Sequence, residues 1–105
     1  MYKIIRTFSR PTTNVEFWGP ENPLVSDDFR TYRKETYVDT GKLVSRTHVL
    51  SADGLSGTIT AMWESPEDLQ IFLNDQRVIN ELETPGEQYM TENGIHLVDR
   101  SSQII

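Results

Sequence analysis

The sequence predicts a single α+β domain: one antiparallel sheet of four strands, covered on one face by helices. Three observations predict it. Lys42 to Leu50 and Leu55 to Trp63 alternate as strands do and flank Ser51-Ala52-Asp53-Gly54, the composition of a tight hairpin. Two further strand-like runs stand near the ends of the chain, Tyr2 to Phe8 and Ile95 to Arg100. Helix-start signals fall between them, at Ser26-Asp27-Asp28 and Ser65-Pro66-Glu67-Asp68. The order β, helix, hairpin, helix, β, with short connections and right-handed crossovers, is the split βαβ or ferredoxin-like arrangement. It takes in residues 1–105 as one domain.

Tyr2 to Phe8 ends at Ser9-Arg10-Pro11. Residues 11 to 25 hold three of the five prolines together with Phe17-Trp18-Gly19-Pro20. A connection this long is expected to be functional or packed by its own side chains. Ser26 then caps a helix whose first turn carries Asp27 and Asp28, where the helix dipole favours negative charge. Phe29, Tyr32, Arg33 and Tyr37 share a face, and Gly41 stands at a C-terminal cap position; Thr36 to Val38 fits an extended segment as well.

In the hairpin, a three-residue loop Ala52-Asp53-Gly54 with Gly54 left-handed predicts the pairs Ser51–Leu55, His48–Thr58, Arg46–Thr60 and Val44–Met62. The same register pairs Thr47 with Ile59 and Val49 with Gly57. A slip of one residue mixes the two faces, and the pattern argues against it. After Pro66, Leu69, Phe72 and Leu73 form one apolar face, whereas Ile71, Val78 and Leu82 fall on another. A break near Asn74-Asp75, with Asp75 as a cap, accounts for the change. Thr84-Pro85-Gly86-Glu87 reads as a third helix start, running to Asn93-Gly94, and Ser101 to Ile105 as a tail.

A formal charge of −6 argues against nucleic acid as the main partner and against an anionic membrane surface. The absence of cysteine excludes disulfides, thiolate metal sites and cysteine nucleophiles. No stretch approaches the roughly 18 apolar residues of a membrane span, and Met1-Tyr2-Lys3-Ile4-Ile5-Arg6 lacks the long apolar run of a signal peptide and reads as a strand. A cytoplasmic protein is expected.

In the predicted register, parity gathers Leu43, Ser45, Thr47 and Val49 with Leu55, Gly57, Ile59, Ala61 and Trp63 on the helix-covered face. Arg46, His48, Thr58 and Thr60, joined by Arg100, form a polar strip on the other face. That strip fits either a subunit interface or recognition of an anion by the arginine fork. Trp63 points toward Leu69, Phe72 and Phe29, as a core aromatic or as the wall of a pocket, where its N–H could meet a ligand. Tyr32, Tyr37 and Trp18 are candidates for the pocket mouth with Trp63, and Phe17 and Trp18 for a plug that tucks the loop onto the body or for an interface anchor. His48 and His96 fall on the two edge strands, on the order of 14 Å apart, so no metal site is expected, and no cofactor motif is present.

Met62-Trp63-Glu64-Ser65 closing the third strand, with Phe72 on the helix behind it, resembles the dimeric α/β-barrel superfamily, including antibiotic biosynthesis monooxygenase-like domains. The resemblance implies a homodimer with sheets face to face and a pocket between sheet and helices in each subunit. In the haem-degrading branch, the tryptophan at the position of Trp63 acts with a histidine on the following helix. Residues 66 to 92 contain no histidine, which speaks against that activity. Three functions fit: a non-enzymatic dimer whose pocket is small or filled, a cofactor-independent oxygenase or related enzyme acting on an apolar aromatic substrate beside Trp63, or a ligand- or partner-binding module using the polar strip. The expected partners are a second copy of the chain and a small apolar or aromatic ligand.

Overall fold

Strand β1 (Tyr2–Ser9) lies inside the sheet, with β3 (Ser56–Trp63) antiparallel on one side and β4 (His96–Ile104) antiparallel on the other. β2 (Leu43–Leu50) pairs antiparallel with the far side of β3, giving the order β2-β3-β1-β4. This is the ferredoxin-like α+β fold expected from the element order. The structure is a computed structural model and describes residues 1–105. The last strand is longer than the sequence suggests. Most of the expected tail pairs with the start of β1, down to Ile104 opposite Tyr2.

The helices form where their caps predict. Ser26 Oγ accepts from the Phe29 N–H, and α1 (Asp27–Arg33) continues into a π-helical turn, Lys34–Val38. Thr36 to Val38 is thus helical, not extended. Ser65 Oγ accepts from Asp68 N–H to start α2 (Pro66–Asn74). Asp75 caps the short α3 (Gln76–Val78) through the Arg77 N–H. The next expected cap is absent. A second π turn, Ile79–Glu83, leads straight into α4 (Thr84–Asn93), and Thr84 donates its N–H to the Ile79 carbonyl, five residues back. Pro85 explains this local widening, because it has no N–H to continue the i→i−4 ladder and its ring crowds the preceding turn. Gly94, at φ 68°, closes α4 in the left-handed conformation. No helix is long and apolar enough to cross a membrane.

β3 alternates strictly, with Gly57, Ile59, Ala61 and Trp63 buried and Ser56, Thr58, Thr60 and Met62 half-buried. Helices cover the first set. Phe29, Tyr37 and Val78 are at most 1% exposed and join Ile4, Leu43, Trp63 and Leu69 in one core. Full burial of such a side chain is worth about 2 kcal/mol.

The hairpin register differs from the predicted one by one residue. Arg46 faces Ala61, Thr47 faces Thr60, His48 faces Ile59, Val49 faces Thr58 and Leu50 faces Gly57. The loop is one residue longer than expected, closed by the Ser51 N–H on the Ser56 carbonyl at 2.9 Å. Asp53 holds it open, its Oδ1 accepting from both the Ser51 hydroxyl and the Leu55 N–H. Gly54 is left-handed, as expected, at φ 74°. Near Val44 an irregularity restores the original register, so that Leu43 pairs with Trp63 and stays in the core. Between loop and bulge every β2 side chain lies on the opposite face from the one expected. Arg46 and His48 therefore point to the helix-covered side, away from Thr58 and Thr60.

Candidate functional site

Between the covered face of the sheet and the helices lies a cleft of about 520 Å³. Ile4, Ile59, Ala61 and Trp63 form its floor, α2 contributes Leu69, Phe72 and Leu73, and Trp18-Gly19-Pro20 of the long connection stand at its border. A size within the few hundred to a thousand Å³ of small-molecule sites, with an apolar lining, suits a ligand with one or two rings. The space beside Trp63 is open.

The cleft is also charged. Arg6, Arg46 and Arg100 reach it from β1, β2 and β4, Arg33 from α1, and Glu83 and Glu87 from the opposite wall. Four of the ten basic side chains of an acidic protein thus border one cavity. Burial, then the neighbouring charges of Arg46 and Arg100, push the Arg6 guanidinium below its usual range; Arg33 is lowered by burial and by Arg46. Burial and the neighbouring Glu87 raise the Glu83 carboxyl, with Arg6 opposing. Of the four arginines only Arg46 has a carboxylate in ion-pair contact, Glu21. Arg6 Nε is the one buried side-chain nitrogen or oxygen without a hydrogen-bond partner.

At the Trp63 end two tyrosine hydroxyls are answered within the protein. The Tyr32 and Tyr37 hydroxyls both donate to Asp75 Oδ2, each at 2.5 Å. Burial alone would raise the Asp75 carboxyl, but those hydroxyls and the Arg77 and Val78 N–H groups outweigh it and hold it below the usual range. Tyr37 packs edge-on to Phe72 at 4.9 Å and to Trp63 at 6.4 Å, and Trp63 meets Phe72 at 5.1 Å. Trp18 is a plug, as one reading of the loop expected. Its indole N–H donates to the Leu82 carbonyl at 3.0 Å, and its ring lies 5.2 Å from Tyr89. Only glycine fits under it, since a Cβ at Gly86 would stand 2.3 Å from Trp18 Nε1.

Of the residues singled out from sequence, Trp63, Phe72, Trp18, Arg46 and Arg100 border the cleft, Arg100 on the face opposite to the one expected. Phe29 and Tyr37 are core residues, and Tyr32 packs against that core while bonding Asp75. His48 borders a smaller neighbouring hollow of about 300 Å³ with Arg10, Phe17 and Glu21. Burial, then Arg46, keep its imidazole below the usual range. The polar strip does not exist as one surface: the one-residue slip separates Arg46 and His48 from Thr58 and Thr60, and Thr58 instead bonds Thr7 across the open face. His48 and His96 lie on the two edge strands, as expected. Sequence reasoning missed Arg6, Glu83 and Glu87. Arg6 had a visible signal: it has the parity of Tyr2, Ile4 and Phe8, the apolar face of its strand.

No protein-family model matches the chain, and no curated protein matches it in sequence. Solved structures do match it in shape. One is a crystal structure of a "putative antibiotic biosynthesis monooxygenase" from Deinococcus radiodurans, at a TM-score of 0.58 and 10% identity, over 100% of this chain and 92% of that one. Another, of the same description, comes from Chloroflexus aurantiacus J-10-fl, at a TM-score of 0.52 and 15% identity, over 99% and 91%. Identities this low establish shape alone. The chain has the ferredoxin-like fold of the antibiotic biosynthesis monooxygenase-like proteins.

Proposed function

We propose that this chain is a small-molecule-binding protein that seats an apolar, aromatic ligand in the cleft beside Trp63, and that it works as a homodimer. The observation that carries the reading is the open volume of about 520 Å³ against Trp63 and Phe72, where a filled core would have left no room. The ligand-binding chemistry needs no metal or cofactor: the walls supply apolar area and the arginines supply orientation. A cofactor-independent oxygenase is the second reading, favoured by the description that the two fold neighbours carry. Its site is the same cleft, with oxygen uptake in the presence of the bound ligand as its signature.

Dimerisation is supported by what the sheet leaves bare. Val49 and Met62 lie on the uncovered face beside Ile5, and all nine residues of β4 are exposed, Val98 at 58% and Ile104 at 76%. A free edge with apolar side chains invites a partner strand or sheet. A second copy brings one. Sedimentation should show a dimer at tens of micromolar, and a monomer there contradicts the dimeric part of the reading.

Thermal shift with 2-naphthamide tests the cleft. A ligand at about ten times its Kd adds about 1.4 kcal/mol, roughly 6 °C in Tm for a domain of this size. The shift should shrink in Trp63→Phe while the fold survives. An unchanged shift in that variant places the ligand elsewhere.

A further inference from the structure

We propose that the ligand of this cleft is an organic acid: an aromatic or apolar body carrying a carboxylate, which is held by the guanidinium groups of Arg6, Arg100 and Arg46. The proposal rests on the reading of the cleft as a ligand site and names the chemistry it selects.

Four observations point the same way. Arg6 and Arg100 are direct cross-strand partners on the covered face of the sheet, where like charges set opposite each other destabilise the pair. Arg6 Nε is buried and unpartnered, a donor left open where most buried donors are satisfied. Neither Arg6 nor Arg100 is within ion-pair distance of any carboxylate, although Glu83 and Glu87 border the same cleft. The basic cluster is local: the chain as a whole carries −6, so the cleft concentrates positive charge against the trend of the molecule. Arg6 is half-buried and borders the cleft beside apolar floor residues such as Ile4 and Ile59 without a carboxylate in ion-pair reach, and Arg100 faces it from the exposed edge strand. The missing partner is an anion from outside. Guanidinium forks match the planar carboxylate in two parallel hydrogen bonds, and the apolar floor requires that the rest of the molecule be apolar. A cleft of about 520 Å³ admits a single small molecule of this kind.

The test compares 2-naphthoate with 2-naphthamide, which share a ring system and differ in charge. Calorimetric titration of the full chain should give the acid a Kd at least about tenfold below that of the amide, a ratio that falls as sodium chloride is raised. Arg6→Gln and, separately, Arg100→Gln should each remove most of that preference. Arg77→Gln, whose side chain pairs with Asp28 and Glu81 away from the cleft, should keep it. Using both cleft variants keeps the test decisive if one of them misfolds. Equal binding of acid and amide overturns the proposal but leaves the cleft a binding site. An acid preference that survives Arg6→Gln and Arg100→Gln also overturns it. Failure of both compounds to bind removes the cleft reading and this proposal together.

Discussion

The two ends of the cleft are built on opposite terms. At one end Trp63, Phe72 and Tyr37 meet ring on ring, and two tyrosine hydroxyls converge on Asp75. At the other, Arg6 faces Arg100 across the strand pair and keeps a buried nitrogen without a partner. The first end is built for stability, because both tyrosine hydroxyls have their acceptor, Asp75, on a neighbouring element. The second gives up stability, since like charges and an open donor cost free energy, against which stand the Phe8 ring 5.9 Å from the Arg6 guanidinium and the charge of Glu83. Local rules broken in this way mark the places where a chain answers to something other than its own fold.

Substitutions at the two ends sharpen or break that contrast. The largest effect should come from Trp63→Ala, about 4 kcal/mol of lost stability in urea unfolding, as for truncation of a core aromatic. A loss below about 1.5 kcal/mol would show that Trp63 holds up little of the core. Asp75→Ala comes next, at about 3 kcal/mol, since the buried Tyr37 hydroxyl loses its acceptor and α3 loses its cap. The same carboxyl sets a pH dependence. Held below its ordinary value of 3.8, it stabilises the fold fully above about pH 4, and that contribution disappears as pH falls through the lowered value. Asp75→Ala should therefore unfold at the same acid midpoint or a higher one, with a shallower dependence over that range. Gly86→Ala should cost about 2 kcal/mol, because the new methyl drives Trp18 off the Leu82 carbonyl. The smallest effect, and the only gain, is expected at the other end. Arg6→Met should raise stability by up to about 1 kcal/mol by removing a partly buried guanidinium that faces the like charge of Arg100. A clear loss there would mean that Arg6 is a structural residue and would erase the contrast.

Much of the fold was legible because it is written in local chemistry. Ser26, Ser65 and Asp75 each cap the helix that their spacing announces. The hairpin register was not, although its turn glycine was read correctly. A loop one residue longer than predicted, held by Asp53, and an irregularity at Val44 are decided by packing, and between them they reverse the faces of Arg46 and His48. Pairwise alternation fixes which residues of a strand travel together, but it leaves open which face they take against a neighbour. The tyrosine–Asp75 lock spans 38 and 43 residues of chain, and no local pattern announces it. Arg6 is the opposite case: an arginine on the apolar parity of an inner strand is visible in the sequence, and its meaning depends on finding Arg100 beside it.

The most direct test of the account is a titration of the ¹⁵N-labelled protein with 2-naphthoate, followed at the Arg6 Nε–H and the Trp63 indole N–H, assigned through Arg6→Gln and Trp63→Phe. The account predicts that both resonances move together along one saturation curve, while the Arg77 Nε–H, bonded to Glu81, stays in place. Both cleft resonances standing still at saturating ligand would contradict it.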